Sequence, residues 1–445
     1  MFACTSYPAE NRFVEAVDTE EVLRALQQRG GGAGVGGHGP LSLHVQIPFC
    51  ASPASQCACR QVVTRRHARA VDYLQALEHE IARAAGALGS RQSVCRIHIG
   101  GATPLFLSDT DLARLVGVLR AAFRVSADAE LSLEVDPRVC GEQRLAGLRA
   151  LGFNRIVVAL RGDGDAAAAS VQLPRSLDAL MAATRALGFD SVTMDVLLGR
   201  PGQTPALAAQ CLRRITALRP DCVVLERYRD RHGRPRTPVA AHAVAALPAN
   251  ATDLIAMQRD AIEHLQDCGY VHIGLDEFAR AGSPLAVAQR QGRLYRGLVG
   301  FSTRPEGDVL ALGVSAVGHI GASHYRNVDG LSDYYDALRR GELPVARGLV
   351  LGRDELARRA VIMGLLCQGR VDFEAISLSH LIDMRRYFAP EFLLIEPMAR
   401  AGLVTIDAEA IELTATGAWF ARGVAAVFDR ELQRAAQRER CSFIE

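Results

Sequence analysis

The chain has 445 residues, of which 49% are hydrophobic and 22% are charged, and its formal net charge is +2. This length and composition predict one domain of barrel size plus a smaller one, and they exclude a disordered chain. All 51 basic residues are arginine, which excludes Schiff-base catalysis and a Walker-type phosphate loop, while the small net charge does not favour a nucleic-acid binder.

The first forty residues are predicted to form an arm and a linker. A helical pattern over residues 15–29 leads into the glycine-rich run GGGAGVGGHGP over residues 30–40. Gly32, Gly34 and Gly37 have the spacing of a dinucleotide fingerprint, but they follow a helix and precede a strand, which is the wrong order. We interpret the run as a linker. No basic and apolar leader precedes it, which predicts a cytoplasmic protein.

Predicted strands and helices then alternate along the chain. Apolar runs rich in β-branched residues predict strands at 43–47, 94–99, 131–135, 155–160, 192–198 and 222–225. Segments with helical periodicity lie between them at 71–88, 109–123, 142–151, 176–187 and 205–218. This alternation is typical of parallel βαβ units, and we expect an α/β fold with a partial (β/α) barrel. Functional groups are expected at the carboxyl ends of its strands.

Beyond residue 350 the pattern changes to a mostly helical one. Residues 353–367 and 380–388 are predicted to be helical, and residues 403–417 hold two short strands around a turn before a final helix. This winged-helix-like pattern has no basic recognition helix beside it, so we interpret it as a packing or lid module. The predicted divisions are an arm and linker (1–40), a partial barrel (41–300), a connecting segment that closes the active site (301–350) and a C-terminal winged-helix-like domain (351–445).

Three cysteines lie close together after the first predicted strand: Cys50, Cys57 and Cys59. Thiolates within ten residues of one another on a loop most often hold iron, zinc or a cluster. The other eight of the 11 cysteines are scattered singly, as buried apolar thiols usually are. We therefore expect reduced thiols and metal binding rather than a disulfide framework. Ala54 stands where a further thiolate would make the motif regular.

Several motifs in register resemble the radical S-adenosylmethionine (SAM) barrel of oxygen-independent coproporphyrinogen III oxidases. The motifs are HVQIPFC (44–50), VVTR (62–65), HIGGATP (98–104), LSLEVDPR (131–138), LGFNRI (151–156), GRPGQTP (199–205) and ALGVSAVGHIG (311–321). Residues 270–303 resemble the oxidase branch rather than the shorter haem-chaperone branch. The resemblance covers nearly the whole chain beyond residue 40.

The resemblance implies a particular chemistry. Three thiolates in the pattern C-x-x-x-C-x-x-C hold a 4Fe–4S cluster, and the remaining iron binds the amino and carboxylate groups of SAM. An electron from the cluster cleaves SAM to a 5′-deoxyadenosyl radical, which removes hydrogen from a propionate of coproporphyrinogen III, so that carbon dioxide leaves and a vinyl group remains. The implied partners are a tetrapyrrole with propionate groups and an electron donor. We expect a monomer without a nucleic-acid partner or a membrane span.

The predicted metal ligands follow from the same resemblance. Cys50 and Cys57 match the first and third cluster thiolates, whereas Ala54 occupies the second position and its methyl group offers iron no lone pair. Cys59 matches an additional family cysteine. Residues two apart in an extended segment project to the same side, so Cys57 and Cys59 can both face a cluster. The predicted set is Cys50, Cys57 and Cys59.

The resemblance also implies the residues that bind SAM, and several depart from the family pattern. His44 stands in place of a tyrosine, and Ala102 adds a methyl group where the family has glycine. Arg161 replaces a glutamine and Arg229 an alanine. The predicted cofactor-binding residues are His44, Gln56, Gly101, Ala102, Thr103, Glu134, Arg161, Asp195, Arg229 and Val317. Two of them, the carboxylates Glu134 and Asp195, also fit an ordinary position at strand ends.

Two functions stay open at this point. The first is an oxidoreductase that converts coproporphyrinogen III into protoporphyrinogen IX in haem biosynthesis. The second is a relative that keeps the fold and binds porphyrin, haem or a partner without turnover. Substitutions spread around one pocket favour impaired activity, whereas residues 270–303 stay close to the enzyme pattern. We assign the oxidase function.

Overall fold

The computed structural model describes residues 7–31, 39–51, 62–89, 92–159, 176–200, 202–228, 251–297, 300–305 and 307–434. Contacts divide the chain into two compact units. The barrel unit comprises Glu15–Val271 and Gly307–Gly348, and the C-terminal unit comprises Met1–Val14, His272–Glu306 and Leu349–Glu445.

The secondary structure follows in chain order. The strands are β1 (Leu41–Ile47), β2 (Phe49–Cys50), β3 (Val62–Val63), β4 (Ser93–Gly101), β5 (Arg124–Val135), β6 (Arg155–Ala159), β7 (Ser191–Leu198), β8 (Cys222–Arg227), β9 (Tyr270–Gly274), β10 (Glu277–Arg280), β11 (Tyr295–Gly297), β12 (Gly300–Ser302), β13 (Val309–Leu312), β14 (Val317–Ile320), β15 (Ser323–Asn327), β16 (Val345–Val350), β17 (Arg370–Asp372), β18 (Val404–Ile406) and β19 (Ala410–Leu413). The α-helices are α1 (Thr19–Gly30), α2 (Ala68–Leu88), α3 (Asp109–Ala122), α4 (Glu142–Ala150), α5 (Ser176–Ala186), α6 (Pro205–Ala217), α7 (Ala251–Asp267), α8 (Pro284–Arg290), α9 (Leu331–Arg339), α10 (Arg353–Gln368), α11 (Phe373–His380), α12 (Met384–Tyr387), α13 (Ala389–Arg400) and α14 (Ala421–Ala426).

The barrel unit is built on a mostly parallel sheet. Strands β1, β4, β5, β6, β7 and β8 lie side by side and all pair in parallel. On the other side of β1 the sheet continues with β13 in parallel, followed by β14 and β15 in antiparallel pairing. Each of the six predicted strands is present within a few residues of its expected bounds, except that β5 begins seven residues earlier at Arg124.

The crossover helices begin at residues with a clear physical role. The hydroxyl of Ser108 accepts from the backbone N of Asp111, whose carboxylate accepts in return from the backbone N of Ser108, so a capping box starts α3. Thr204 caps α6, where Pro205 fits the first helical position. Helix α2 buries Leu74, Leu77 and Ile81 on one stripe, as its periodicity predicts. These helices cover the apolar face of the sheet.

The C-terminal unit has its own hydrophobic core. Buried side chains of α10, α13 and the segment after α14 meet there, including Val361, Ile395 and Phe428. Strands β17, β19 and β18 form a small antiparallel sheet beside these helices. The two predicted strands within residues 403–417 correspond to β18 and β19, whereas β17, only three residues long, was not predicted.

One predicted helix of this unit is wrong in its bounds. Residues 380–388 do not form one helix: α11 ends at His380 and the short α12 spans Met384–Tyr387. The break has a local cause, because Leu381 adopts a φ of 54° and the carboxylate of Asp383 caps the new helix by accepting from the backbone N of Arg386.

The fold prediction is confirmed: the protein is α/β, with a large and mostly parallel sheet and a mostly helical C-terminal region. None of the helices within the described ranges is long and apolar enough to cross a lipid bilayer.

Candidate active site at the carboxyl ends of the barrel strands

The register of the sheet gathers the predicted polar residues on one face. Facing residues of paired strands project to the same side, and so do residues two apart within a strand. Pairing of β1 with β4 sets His44 opposite His98, and the following pairs carry the same face to Glu134 on β5 and Asp195 on β7. On the other side of β1, the pairing through β13 brings Val317 to this face.

Gly101, Ala102 and Thr103 form a backbone ridge at the end of β4. Gly101 has a φ of 119°, and a Cβ there would lie 2.4 Å from the carbonyl oxygen of Ile47. The backbone N of Ala102 donates to that same oxygen at 2.9 Å, and the hydroxyl of Thr103 donates to the carbonyl of Ala102 at 2.8 Å. Glycine is therefore required at 101, where the backbone of the ridge passes beside the end of β1.

The cysteine loop starts from a paired stem. Strand β2 pairs in parallel with β3, and the carbonyl of Cys50 accepts from the backbone N of Thr64 at 2.9 Å. Cys50 is not part of a disulfide, is only 4% exposed, and packs against the methyl group of Ala102. The first predicted cluster ligand thus lies beside the ridge. Residues 52–61 lie outside the described residues, and with them Ala54, Gln56, Cys57 and Cys59.

An imidazole and a carboxylate face each other above Gly100. His98 Nδ1 lies 2.8 Å from the hydroxyl of Ser132, and its Nε2 lies 3.7 Å from Glu134 Oε1. A Cβ on Gly100 would lie 2.6 Å from His98 Nε2 and 3.0 Å from Glu134 Oε1, so glycine leaves the space that the two side chains occupy. His98 was missed from the sequence. Its signal was its position two residues before Gly100, on the same strand face.

His44 completes this group as an uncharged ring. Its imidazole stacks on that of His98 with centroids 5.8 Å apart, and its Nδ1 lies 3.4 Å from the carbonyl oxygen of Val317. Burial, and then the neighbouring His98, lower the pKa of His44 to about 4. At neutral pH the ring therefore places no positive charge on this face, which suits a site for a cationic ligand.

Of the remaining predicted residues, two are described by the structure and two are not. Asp195 lies on β7 and Val317 begins β14, both described. Arg161 and Arg229 lie outside the described residues, shortly after β6 and β8 in the sequence. Within the described ranges, no group of three or more His, Cys, Asp or Glu side chains is arranged to hold a metal ion. The ligand set Cys50, Cys57 and Cys59 therefore stays a prediction.

The donor set fits the cofactors that the family resemblance implies. Three thiols within ten residues match the three thiolates that a 4Fe–4S cluster needs when one iron binds SAM. The described residues of the site add the ridge beside the end of β1, the carboxylates Glu134 and Asp195, and a neutral His44. Carboxylates beside an uncharged imidazole favour a cation with amino and hydroxyl groups.

Known proteins match this chain over almost its full length. Residues 351–420 match the family model of the HemN C-terminal domain. Oxygen-independent coproporphyrinogen III oxidase of Salmonella typhimurium is 35% identical over 443 residues, which cover 98% of this chain and 94% of the relative. The enzyme of the same name from Pseudomonas aeruginosa is 35% identical over 435 residues, covering 96% and 93%.

A solved structure has the same fold. Coproporphyrinogen III oxidase (HemN) from Escherichia coli, described as a radical SAM enzyme, matches with a TM-score of 0.87 and 34% identity over 96% of this chain and 97% of that one. This fold, with a cysteine segment after the first barrel strand and a glycine ridge after the second, defines a radical SAM protein. The sequence identity over the whole length narrows the class further. The chain belongs to the family of oxygen-independent coproporphyrinogen III oxidases, which confirms the predicted family.

Proposed function

We propose that this protein converts coproporphyrinogen III into protoporphyrinogen IX without oxygen, as a step of haem biosynthesis. The single observation that carries the proposal is the full-length likeness to oxidases of this name, at 35% identity over 98% of the chain. A likeness confined to the barrel would support only the fold, whereas this one also includes the C-terminal unit.

In this proposal Cys50, Cys57 and Cys59 hold the 4Fe–4S cluster. Cys59 takes the part of the missing second thiolate, because Ala54 carries no donor atom and no other cysteine lies within thirty residues of this loop. When bound, the cluster would supply the electron that cleaves a carbon–sulfur bond in the sulfonium group of SAM. The chain's own contribution is to hold Cys50 on the β2–β3 stem, with its thiol buried beside the ridge.

We assign SAM binding to the face described above. Gly101, Ala102 and Thr103 form the edge of the SAM site beside the end of β1, and Glu134 and Asp195 present carboxylates to the polar groups of a cation. His44 stays neutral beside them, and Val317 adds apolar contact. Three further predicted residues, on segments that are not described, complete the set: Gln56, Arg161 and Arg229.

The substrate in this proposal is a tetrapyrrole with propionate groups. Besides histidine, arginine is the only basic residue type in the chain that could bind propionate. Arginine keeps its charge and binds carboxylates with two parallel hydrogen bonds. We also propose a monomer in the cytoplasm. A reducing compartment suits the seven cysteines of the described residues, none of which is part of a disulfide.

The test is anaerobic reconstitution with iron and sulfide. We expect about four irons per chain. After chemical reduction we expect an EPR signal that changes when SAM is added. With a reductant and an electron acceptor supplied, we expect formation of protoporphyrinogen IX from coproporphyrinogen III. Cys59→Ala should lose the cluster. Cys268→Ala, which removes an exposed cysteine far from the loop in the sequence, is the matched control and should keep it.

The outcomes separate the two functions. A chain that takes up no iron but binds porphyrin would be a relative without turnover. In that case Ala54→Cys decides whether the loop alone is at fault, because a cluster gained by this variant would show that the rest of the site is competent. A cluster that survives in Cys59→Ala would remove Cys59 from the ligand set.

A further inference from the structure

A carboxylate is buried on the helical side of the barrel sheet. Glu80 lies on α2, is 1% exposed, and belongs to the same buried stripe as Tyr73, Leu77 and Ala84. A buried carboxylate is costly unless hydrogen bonds compensate it. Burial raises the pKa of Glu80 to about 7, and the hydrogen bonds that it accepts oppose this rise. Its position therefore needs a structural reason.

Three donors from three different elements converge on this carboxylate. The backbone N of Gly313 donates to Oε2 at 2.7 Å, and the hydroxyl of Tyr334 on α9 donates to the same oxygen at 2.6 Å. Asn327 at the end of β15 donates through Nδ2 to Oε1 at 2.7 Å. The same Nδ2 donates to the carbonyl of Gly313 at 2.9 Å, which fixes the orientation of the amide. Glu80 thus ties α2 to the turn between β13 and β14.

Tyr73, two helical turns earlier on α2, extends this network to β1. Its hydroxyl donates to the carbonyl of Gln46 at 2.7 Å and accepts from the backbone N of Val314 at 3.0 Å. The turn passes so close that Gly313, with a φ of 97°, has no room for a side chain: a Cβ would lie 2.3 Å from the Tyr73 hydroxyl and 2.7 Å from the Gln46 carbonyl.

The turn and the strand that Glu80 and Tyr73 hold in place also carry residues of the candidate site. The turn after Gly313 leads directly to Val317, whose carbonyl oxygen lies 3.4 Å from His44 Nδ1. Strand β1 carries His44, and β2, which follows it in the chain, ends at Cys50. A shift of the turn would therefore move the carbonyl that faces His44, and a shift of β1 would move the ridge hydrogen bond to Ile47.

We propose that Glu80 is a positioning residue, which from the outer helix holds the β13–β14 turn and, together with Tyr73, the end of β1 in the geometry that the SAM site requires. The link to SAM rests on the proposed function. The hydrogen bonds of Glu80 to the turn and of Tyr73 to β1 do not depend on a bound cofactor. Its test therefore uses one readout that needs no cofactor and one that does.

The first readout is hydrogen–deuterium exchange of the full-length protein as isolated. Glu80→Gln keeps the size of the side chain but cannot ionise, and in either orientation its new NH2 group faces a donor, the amide of Asn327 or the backbone N of Gly313. In this variant we expect hydrogen exchange about fivefold faster or more in residues 44–50 and 309–320, which corresponds to the loss of about one hydrogen bond. Tyr334→Phe, which removes a single donor, should have a smaller effect on residues 309–320.

The matched control is Glu78→Gln on the same helix, where Glu78 bonds to Arg114 near the surface. It should leave both segments unchanged. The second readout is the kinetics of SAM cleavage, in which we expect Glu80→Gln to raise the KM for SAM about fivefold while kcat changes little. Unchanged exchange in Glu80→Gln would overturn the proposal, and faster exchange with an unchanged KM would reduce Glu80 to a structural residue.

A wild-type protein that neither binds nor cleaves SAM would contradict the proposed function, and with it the link to SAM. The exchange comparison would still decide whether Glu80 holds the turn.

Discussion

His98 faces Glu134 across the space left by Gly100, with 3.7 Å between His98 Nε2 and Glu134 Oε1. The other ring nitrogen of His98 is held by Ser132 at 2.8 Å. A histidine fixed at one nitrogen can orient a carboxylate at the other, as supporting residues do around cofactor sites. His98 is thus placed to orient the carboxylate to which we assign SAM binding.

The first prediction concerns this histidine. His98→Ala should weaken SAM binding about five- to tenfold, because Glu134 loses the ring that restricts its rotamer, and ordering a free side chain on binding costs about 1 kcal/mol. The measurement is the KM for SAM in anaerobic cleavage assays. His79→Ala removes an exposed histidine from α2 and should leave the KM unchanged. Equal KM values for wild type and His98→Ala would contradict the orienting role.

The second prediction concerns the ridge. Gly101→Ala should destabilise the barrel unit by about 2 kcal/mol or more, because the residue has a positive φ and its methyl group would press on the Ile47 carbonyl at 2.4 Å. Gly117→Ala is the matched control. Gly117 lies in the middle of α3 with no atom within 4 Å of the added Cβ, so this change should stabilise the protein by up to about 1 kcal/mol. Urea unfolding of both variants measures the contrast, and equal stabilities would refute it.

Much of this site could be predicted from the sequence, because its parts are local. Strand β7 was placed within one residue from its β-branched run, and the segment around Gly101 was found by its motif. The His44–His98 stack was not predicted, since it depends on the register between β1 and β4, which neither strand encodes alone.

The buried carboxylate of α2 was missed for a different reason. Glu80 occupies a position on the apolar stripe with Tyr73, Leu77 and Ala84, and a charged residue on such a stripe was a readable signal. Its partners could not be predicted, because Gly313, Asn327 and Tyr334 lie more than 230 residues away in the sequence.

The third prediction is a dependence of stability on pH. The folded pKa of Glu80 is about 7, raised by burial from 4.5, so the folded chain keeps a proton that the unfolded chain releases. Stability should therefore fall as pH rises from about 4.5 to about 7, by on the order of 3 kcal/mol from this group alone. Tyr73 and Tyr334, whose pKa values burial raises well above 10.0, stay neutral over this range.

The measurement for Glu80 is the difference in unfolding free energy between wild type and Glu80→Gln at pH 5, 6, 7 and 8. Subtraction removes the titration of the other groups. Because the variant has no proton to release, it should gain on the wild type as pH rises. A difference that stays constant between pH 5 and pH 8 would show that Glu80 has an ordinary pKa.

The fourth prediction uses the single tryptophan of the chain. In the C-terminal unit the Trp419 indole stacks on the His272 imidazole with centroids 4.1 Å apart and an angle of 12° between the rings. A protonated imidazole in this position quenches indole fluorescence, and burial lowers the pKa of His272 below 6.5. Tryptophan emission should therefore fall on acidification with a midpoint below pH 6.5. His272→Gln should abolish this fall.

The control is His380→Gln. It removes a histidine from α11 that makes no ring contact with Trp419 among the described residues, so the fall in emission should persist. A titration that survives in His272→Gln would place the quenching group elsewhere.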